Sequence, residues 1–194
     1  LGLKETSRDD ITAILDDAVK LKNDVLEQDI KKSNILSGKS IITLFFENST
    51  RTRVSFELAS KYLGATAANI SAGGSSIAKG ETLIDTAKTL EAMGTDVIII
   101  RHSMSGSPHL ISKYIGSKVI NAGDGMNEHP TQALLDIMTI REKKGKVKGL
   151  KVAIVGDVKH SRVARSNIYG LNKLGAEVVL AGPSTLLPSN LEDM

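Results

Sequence analysis

The sequence predicts an α/β fold, in which a doubly wound parallel sheet is followed by part of a second α/β domain. Residues 41–46 and 97–100 are continuous apolar runs, which are typical of strands buried on both faces. Segments with apolar residues at helical spacing alternate with such runs, which favours parallel strands joined by helical crossovers. Aromatic residues make up only 3% of the chain and Trp is absent, so aliphatic side chains must build the core.

The first two helices are predicted from their start signals. Ser7 and Asp10 form a capping box, and Ser49 is a suitable N-cap for the helix that follows strand 41–46. Five residues at helical spacing are expected to form the buried face of the first helix: Ile11, Leu15, Ala18, Leu21 and Val25. The buried stripe of the second helix is expected to consist of Val54, Leu58 and Tyr62.

The alternation of strands and helices continues along the chain. Further strands are predicted at residues 66–70, 119–121, 152–155 and 178–180, and further helices near residues 83–90, 108–115, 130–143 and 163–174. A stretch rich in Gly and Lys, residues 143–149, is expected to connect two domains, at residues 1–144 and 145–194. Roughly fifty residues cannot bury a domain-sized core, so we expect the second domain to be incomplete.

Composition argues against several classes of function. The formal net charge is only +3, and the only dense basic cluster consists of Lys143, Lys144, Lys146 and Lys148. A nucleic-acid partner is not expected, because such binders concentrate basic residues and interleave aromatic ones. The chain has no cysteine, which excludes disulfides and thiolate metal sites. With no membrane-length apolar run and no signal peptide, we expect a cytoplasmic protein without a membrane partner, a metal or a cofactor.

The segment Ser49-Thr50-Arg51-Thr52-Arg53 lies between the buried strand and the second helix. Backbone N–H groups at a helix N-terminus favour anions, and the neighbouring hydroxyls with the guanidinium of Arg51 would complete a phosphate site. The carboxyl edge of a parallel sheet is also where ligands bind. An ordinary serine N-cap with two solvated arginines explains the same string equally well.

Three further residues, at a helix start and at the end of a strand, are candidates for a role in the chemistry. His129 begins a helix whose dipole favours the neutral imidazole, and Gln132 offers a donor and an acceptor one turn later. Together they can hold a carbonyl oxygen and its NH2, although a capping histidine is the commoner reading of His129 alone. Arg101 follows strand 97–100 at the carboxyl edge, where it faces either the ligand crevice or simply solvent.

Two loops add charged candidates. Residues 71–81 are rich in Gly and Ser and include Ser75 and Lys79, so the loop can act as a lid or reach another subunit. A plain solvated loop is the commoner alternative. After strand 152–155, the spacing of a dinucleotide turn fails beyond Gly156, but Arg162 at the next helix start can clamp a carboxylate.

Taken together, five motifs in sequence order resemble the aspartate/ornithine carbamoyltransferase family. They lie at residues 45–57, 79–86, 101–102, 121–136 and 156–163, and the match extends over essentially the whole chain. Lys79-Gly80-Glu81 and Gly123-Asp124-Gly125 resemble the catalytic chains of the aspartate branch rather than the ornithine branch. Two alternatives stay open: an ornithine carbamoyltransferase, and a truncated chain that binds carbamoyl phosphate without turnover.

The resemblance implies a role for each candidate residue. The phosphate of carbamoyl phosphate would bind at Ser49, Thr50, Arg51 and Thr52. The catalytic groups, which contact the carbamoyl oxygen, would be Thr52, Arg101 and His129. Gln132 would hold the carbamoyl NH2, and Arg162 would bind a carboxylate of aspartate. For Glu47 the sequence suggests no part in the chemistry, and an ion pair with Arg162 is its predicted role.

The resemblance also implies partners and a pathway. The substrates would be carbamoyl phosphate and L-aspartate, in pyrimidine biosynthesis, with no cofactor. Ser75 would contact carbamoyl phosphate and Lys79 aspartate, both in the site of a neighbouring subunit of a homotrimer, and regulatory chains are compatible with the resemblance. Two departures are visible: Ala78 stands where some relatives carry a second lysine, and the family's later arginine for aspartate lies beyond residue 194.

Overall fold

The computed structural model describes residues 1–27, 33–71 and 80–188. In these ranges the helices are α1 (Arg8–Glu27), α2 (Thr50–Tyr62), α3 (Leu83–Ala92), α4 (Ser107–Ile111), α5 (Pro130–Lys144) and α6 (Arg162–Lys173). The strands are β1 (Ser40–Phe45), β2 (Thr66–Ser71), β3 (Val97–His102), β4 (Lys118–Asp124), β5 (Lys151–Val155) and β6 (Glu177–Ala181). A 3-10 turn, Ser184–Leu186, follows β6.

The chain forms two compact units. The first consists of Leu1 and residues 21–125, and the second of residues 2–20 and 126–194. The second unit is therefore assembled from two segments that are far apart in the sequence. The predicted division into domains at residues 1–144 and 145–194 stays a prediction.

The first unit is built on a parallel sheet with the strand order β2-β1-β3-β4. Alternate residues of β1 point to opposite faces of the sheet. Ile42 and Leu44 pack in a cluster with residues of α3 and α4, while Ile41 and Phe45 pack in a second cluster with Phe56 of α2. Both faces are thus covered, which confirms the predicted α/β fold with a parallel sheet and explains the continuous apolar run.

The order of the strands creates a switch point between β1 and β3. The chain leaves β1 through α2 to reach β2 on one side, and then crosses to β3 on the other side. In parallel α/β sheets, ligands bind at the carboxyl ends of the two strands where this reversal occurs. Here those ends carry residues 46–52 after β1 and the pair Arg101 and His102 at the end of β3.

Three predictions for this unit were wrong in detail. Val54 and Leu58 are each 42% exposed, whereas Ser60 is buried. Two positions along a helix correspond to about 200°, so α2 packs through the face opposite to the predicted stripe. Arg101 lies within β3 rather than after it. Helix α4 ends at Ile111, because i→i−3 hydrogen bonds replace helical ones at Lys113 and Tyr114.

The second unit packs α1, α5 and α6 around one aliphatic cluster and pairs β5 with β6 in parallel. Ser7 caps α1 as predicted, because its Oγ accepts from the backbone N–H of Asp10 at 3.0 Å. Ile11 and Leu15 are buried as predicted, but Leu21 is 39% exposed, so the buried face of α1 is shorter than expected. Across residues 1–27, 33–71 and 80–188, no helix is both long and apolar enough to cross a membrane.

A single lysine side chain forms three hydrogen bonds to the backbone of the segment before α1. The ammonium of Lys173, near the end of α6, donates to the carbonyl oxygens of Leu3, Lys4 and Thr6 at 2.7, 2.7 and 2.6 Å. Leu3 is 2% exposed and belongs to the aliphatic cluster of this unit. The first residues of the chain are therefore held by both packing and hydrogen bonds.

Candidate functional site

The start of α2 has the features of an anion site. Ser49 is its N-cap in extended conformation, with φ −155° and ψ 98°, and its side chain makes no capping hydrogen bond. The first N–H groups of a helix have no partner within the helix and attract negative charge. Thr50 and Arg51 are exposed and Thr52 is half-buried, so this end of α2 is open to a ligand.

Arg101 lies beside the loop that leads to this helix start. In the parallel register Arg101 is opposite Phe45, and its carbonyl oxygen accepts from the N–H of Phe46 at 2.9 Å. Its Nε donates to Oε2 of Glu47 at 2.9 Å, and both side chains are partly buried. The structure therefore brings Arg101 together with the loop that leads to Ser49. The sequence did not reveal this ion pair, and the predicted pair of Glu47 with Arg162 stays a prediction.

His102, the last residue of β3, is a buried neutral base. It is 9% exposed, its ring lies 4.4 Å from that of Phe46, and its Nδ1 accepts from the N–H of Met104 at 2.9 Å. Burial lowers the pKa of His102 below 6.5, although the charges of Glu47 and Asp124 act in the opposite direction. Its role in this structure is to hold the loop after β3.

Asp124 connects the loops after β3 and β4. It is fully buried, and its carboxylate accepts from the N–H of Gly106 at 2.7 Å and from Nδ2 of Asn121 at 2.9 Å. The N–H of Gly125 donates to the carbonyl oxygen of His102 at 2.9 Å. The sequence drew attention to Gly123 and Gly125 but did not predict that Asp124 is buried. Through its hydrogen bonds, the carboxylate of Asp124 holds the loops at the carboxyl edge of the sheet.

His129 and Gln132 lie at the start of α5, in the second unit. His129 is the N-cap, is 7% exposed, and its backbone N–H donates to Oγ of Ser166 at 2.9 Å. Its Nδ1 lies 3.4 Å from Oγ1 of Thr131. Pro130 occupies the first helical position, as predicted. The backbone at His129 is therefore held in place by Ser166 and by the start of α5, and this fixes the point from which the imidazole extends.

A buried carboxylate supports this helix start. Glu128 is 3% exposed, and its Oε2 accepts from Oγ of Ser166 at 2.9 Å and from the N–H of Leu3 at 2.7 Å. Gly2 approaches this carboxylate so closely that a Cβ at that position would collide with it. Neither Glu128 nor Ser166 belongs to a local sequence pattern that indicates a contact, so their hydrogen bond was not predicted from the sequence.

Gln132 is held by a carboxylate one turn further along α5. Its Nε2 donates to Oδ1 of Asp136 at 3.0 Å, and Nδ2 of Asn167 donates to Oδ2 at 2.7 Å. Arg162 is the first residue of α6, whose N-cap Ser161 accepts from the N–H of Ala164 at 3.1 Å. Arg162 thus lies at a helix start, as predicted, and the cap by Ser161 is a finding of the structure.

The candidate residues fall into three sets. Ser49, Thr50, Arg51, Thr52 and Arg101 lie together at the switch point of the first unit. His129, Gln132 and Arg162 lie at two helix starts of the second unit. Ser75 and Lys79 lie outside the described residues. In the described ranges, no three residues of the kinds His, Asp or Glu are arranged to hold a metal ion.

In α/β proteins, a helix start at the switch point of a parallel sheet is a common binding site for phosphorylated ligands. A family model described as "Aspartate/ornithine carbamoyltransferase, carbamoyl-P binding domain" matches residues 1–142. The chain belongs to this family.

Relatives in sequence carry the name of the aspartate enzyme. The aspartate carbamoyltransferase catalytic subunit of Acetivibrio thermocellus is 67% identical over 192 residues, which cover 99% of this chain and 61% of that protein. The catalytic subunit of Ruminiclostridium cellulolyticum is 66% identical with the same coverage. The chain thus spans about three fifths of the length of these curated relatives.

Solved structures show the same fold. Aspartate transcarbamoylase of Trypanosoma cruzi, in complex with carbamoyl phosphate and aspartate, superposes with a TM-score of 0.91 at 35% identity. The match covers 99% of this chain and 60% of that one. The catalytic subunit from M. jannaschii has a TM-score of 0.89 at 39% identity, over 100% of this chain and 63% of that one.

Proposed function

We propose that the protein transfers the carbamoyl group of carbamoyl phosphate to the amino group of L-aspartate, giving N-carbamoyl-L-aspartate and phosphate. The amine nitrogen forms a bond to the carbamoyl carbon, and the bond from that carbon to the phosphate oxygen breaks. The family of the chain and the names of its relatives support this reaction. In a cell the product would enter pyrimidine biosynthesis.

One observation in the structure carries the proposal: Glu47 holds Arg101 against the loop that leads from β1 to α2. The phosphate would bind the N–H groups and side chains of Ser49, Thr50, Arg51 and Thr52. The guanidinium of Arg101, on the neighbouring strand, would then meet the carbonyl oxygen of the carbamoyl group. This arrangement suits a substrate with an anionic group and a polarisable carbonyl close together.

Catalysis would rest on stabilising negative charge as it develops. When the amine attacks, charge builds on the carbamoyl oxygen, and Thr52, Arg101 and His129 would donate hydrogen bonds to it. Gln132 would accept from the carbamoyl NH2, and Arg162 would bind a carboxylate of aspartate, so that both reactants are held in line. The departing phosphate is our candidate for the acceptor of the amine proton.

Ornithine is the second candidate acceptor. The two branches share the motifs at residues 49–53 and 129–132, but the relatives described above are aspartate enzymes. The ammonium of ornithine would also need an acidic partner where Arg162 stands. The deciding experiment uses the full-length protein with carbamoyl phosphate and either amino acid, and measures ureido product. Activity with ornithine alone would contradict the proposal.

A binding protein without turnover is the alternative from another class. Inorganic phosphate and carbamoyl phosphate would then bind, as calorimetry can show, but no ureido product would form with aspartate. Arg101→Ala separates the two functions. We expect it to abolish most transfer while phosphate binding through α2 persists.

A cytoplasmic homotrimer with shared sites is part of the same proposal. Ser75 and Lys79 would act in a neighbouring subunit. Chains with Ser49→Ala and chains with Lys79→Ala are each expected to be weakly active, and a mixture should recover activity because some sites receive neither substitution. A mixture no more active than its components would contradict a shared site.

A further inference from the structure

We propose that Asp136 is a positioning residue that fixes the amide of Gln132 with its oxygen, not its nitrogen, towards the carbamoyl NH2. Through this contact Asp136 would make the site reject acyl phosphates that lack the NH2. The inference rests on the proposed function, and in particular on the contact between Gln132 and the carbamoyl group. It assigns a role in substrate selection to a residue outside the proposed contacts.

The orientation of the amide follows from the chemistry of its partner. Gln132 and Asp136 are four residues apart on α5, so their side chains lie on the same face of the helix. Nε2 of Gln132 donates to Oδ1 of Asp136 at 3.0 Å. A carboxylate has only acceptor atoms, so it can bind the NH2 end of the amide but not the oxygen end. The oxygen of Gln132 is therefore turned away from Asp136 and can accept elsewhere.

Asp136 is itself held from a second helix. Nδ2 of Asn167, on α6, donates to Oδ2 of Asp136 at 2.7 Å. Asn167 is 9% exposed, and its own Oδ1 is buried without a hydrogen-bond partner in the described part of the chain. Leaving a buried oxygen without a donor is unfavourable, so the bond to Asp136 sets the orientation of Asn167. Both carboxylate oxygens are thus engaged, which makes Asp136 a fixed support for Gln132.

A fixed acceptor discriminates between carbamoyl and acetyl groups. Carbamoyl phosphate offers N–H to the oxygen of Gln132, whereas acetyl phosphate offers a methyl group of similar size. When acetyl phosphate binds, the oxygen of Gln132 would lose its hydrogen bond to water without gaining another donor. Sites that hydrogen-bond a substrate N–H reject an analogue without that group strongly. A glutamine without Asp136 could turn its oxygen towards water, and this penalty would disappear.

The first test uses the full-length protein and the variant Asp136→Ala. Discrimination is measured as the Ki of acetyl phosphate, a competitor of carbamoyl phosphate, divided by the KM of carbamoyl phosphate. We expect this ratio to fall about tenfold in Asp136→Ala, with acetyl phosphate binding no worse than before. Glu142→Ala, which removes the same charge from an exposed position of α5, should leave the ratio unchanged. An unchanged ratio in Asp136→Ala would overturn the inference.

A second test moves the carboxylate along the helix. Gln132→Glu alone places two carboxylates one turn apart, where they repel, and the ratio should fall. In Gln132→Glu/Asp136→Asn, the new amide at position 136 can donate to the carboxylate at position 132 and accept from Asn167. One oxygen at position 132 is then fixed as an acceptor again, and the ratio should recover towards that of the wild type.

The outcomes separate the inference from the proposed function. A ratio in the double variant that stays as low as in Gln132→Glu would overturn the positioning role. This comparison stands even where Asp136→Ala folds poorly, since the double variant conserves charge and size. If the wild-type protein does not transfer the carbamoyl group to aspartate, the proposed function is contradicted. If it does, but the ratio of Ki to KM does not change in the variants, only the role of Asp136 is contradicted.

Discussion

Glu47 and Arg101 are joined by a hydrogen-bonded ion pair, with Nε of Arg101 donating to Oε2 of Glu47 at 2.9 Å. The pair connects the loop after β1 to the end of β3, on the two strands that form the switch point. The guanidinium is a charged group on a flexible side chain, and this contact limits its orientations. The position of the charge therefore depends on the carboxylate of Glu47.

Replacing Glu47 should impair catalysis more than stability. In Glu47→Gln the neutral amide holds the guanidinium less firmly, and we expect kcat for carbamoyl transfer to fall about tenfold, less than the loss from removing an oxyanion donor outright. The unfolding midpoint should change little. Asp96→Asn is the control, because Asp96 pairs with Lys39 at the opposite edge of the same sheet. Equal losses of kcat in both variants would contradict a local role of Glu47.

Ser49 should matter for binding and little for stability. Its side chain makes no capping bond, whereas Thr82 accepts from the N–H of Asp85 at the start of α3 in the same unit. We expect Thr82→Ala to lower the free energy of unfolding by about 1 kcal/mol and Ser49→Ala by clearly less. Ser49→Ala should weaken the binding of inorganic phosphate in calorimetry. A loss of stability at Ser49 as large as at Thr82 would argue for an ordinary cap.

Ser166 should be important for stability. It is fully buried, donates to Glu128 and accepts from the N–H of His129. Ser166→Ala leaves both groups without this partner, and we expect a loss of about 2 kcal/mol in the free energy of urea unfolding. Thr139→Ala on the exposed side of α5 is the matched control, with a change within about 0.5 kcal/mol. Similar losses in the two variants would show that the network is not important.

His102 should make stability depend on pH. Burial lowers its pKa in the folded protein, so the unfolded chain binds the proton more tightly. Its contribution to stability is complete above pH 6.5, the ordinary value, and decreases as the pH falls below it, by at most about 1.4 kcal/mol per pH unit. Urea unfolding at pH 7.5 and 5.5 should therefore show a larger loss for the wild type than for His102→Asn. The same loss in both would exclude His102 as the cause.

The sequence was sufficient for most of the fold because β1 and β3 are buried on both faces. Their apolar runs are continuous, and the helices between them begin at recognisable caps. The face of α2 could not be predicted in the same way. Its helix carries apolar residues on two sides, and only the packed structure shows that Phe56 rather than Leu58 faces the sheet.

Candidate site residues that belong to a local motif could be predicted from the sequence. Residues that support them from a distant part of the chain could not. Arg101 and His129 stand at the end of a strand and the start of a helix, which local patterns reveal. Glu128 and Ser166 are 38 residues apart, and nothing in either segment indicates their hydrogen bond. The pair of Glu47 and Arg101 depends on the register of two strands, which becomes visible only once the sheet is assembled.

The triple hydrogen bond from Lys173 has a consequence for biosynthesis. Residues 3–6 leave the ribosome well before the lysine that binds them, because Lys173 is made about 170 residues later. The first unit is complete once Gly125 has emerged, so it can fold while the start of α1 still waits for α5 and α6. Leu3, Ile11 and Leu15 would then stay exposed until α5 and α6 have been made, as targets for chaperones that bind aliphatic segments of nascent chains.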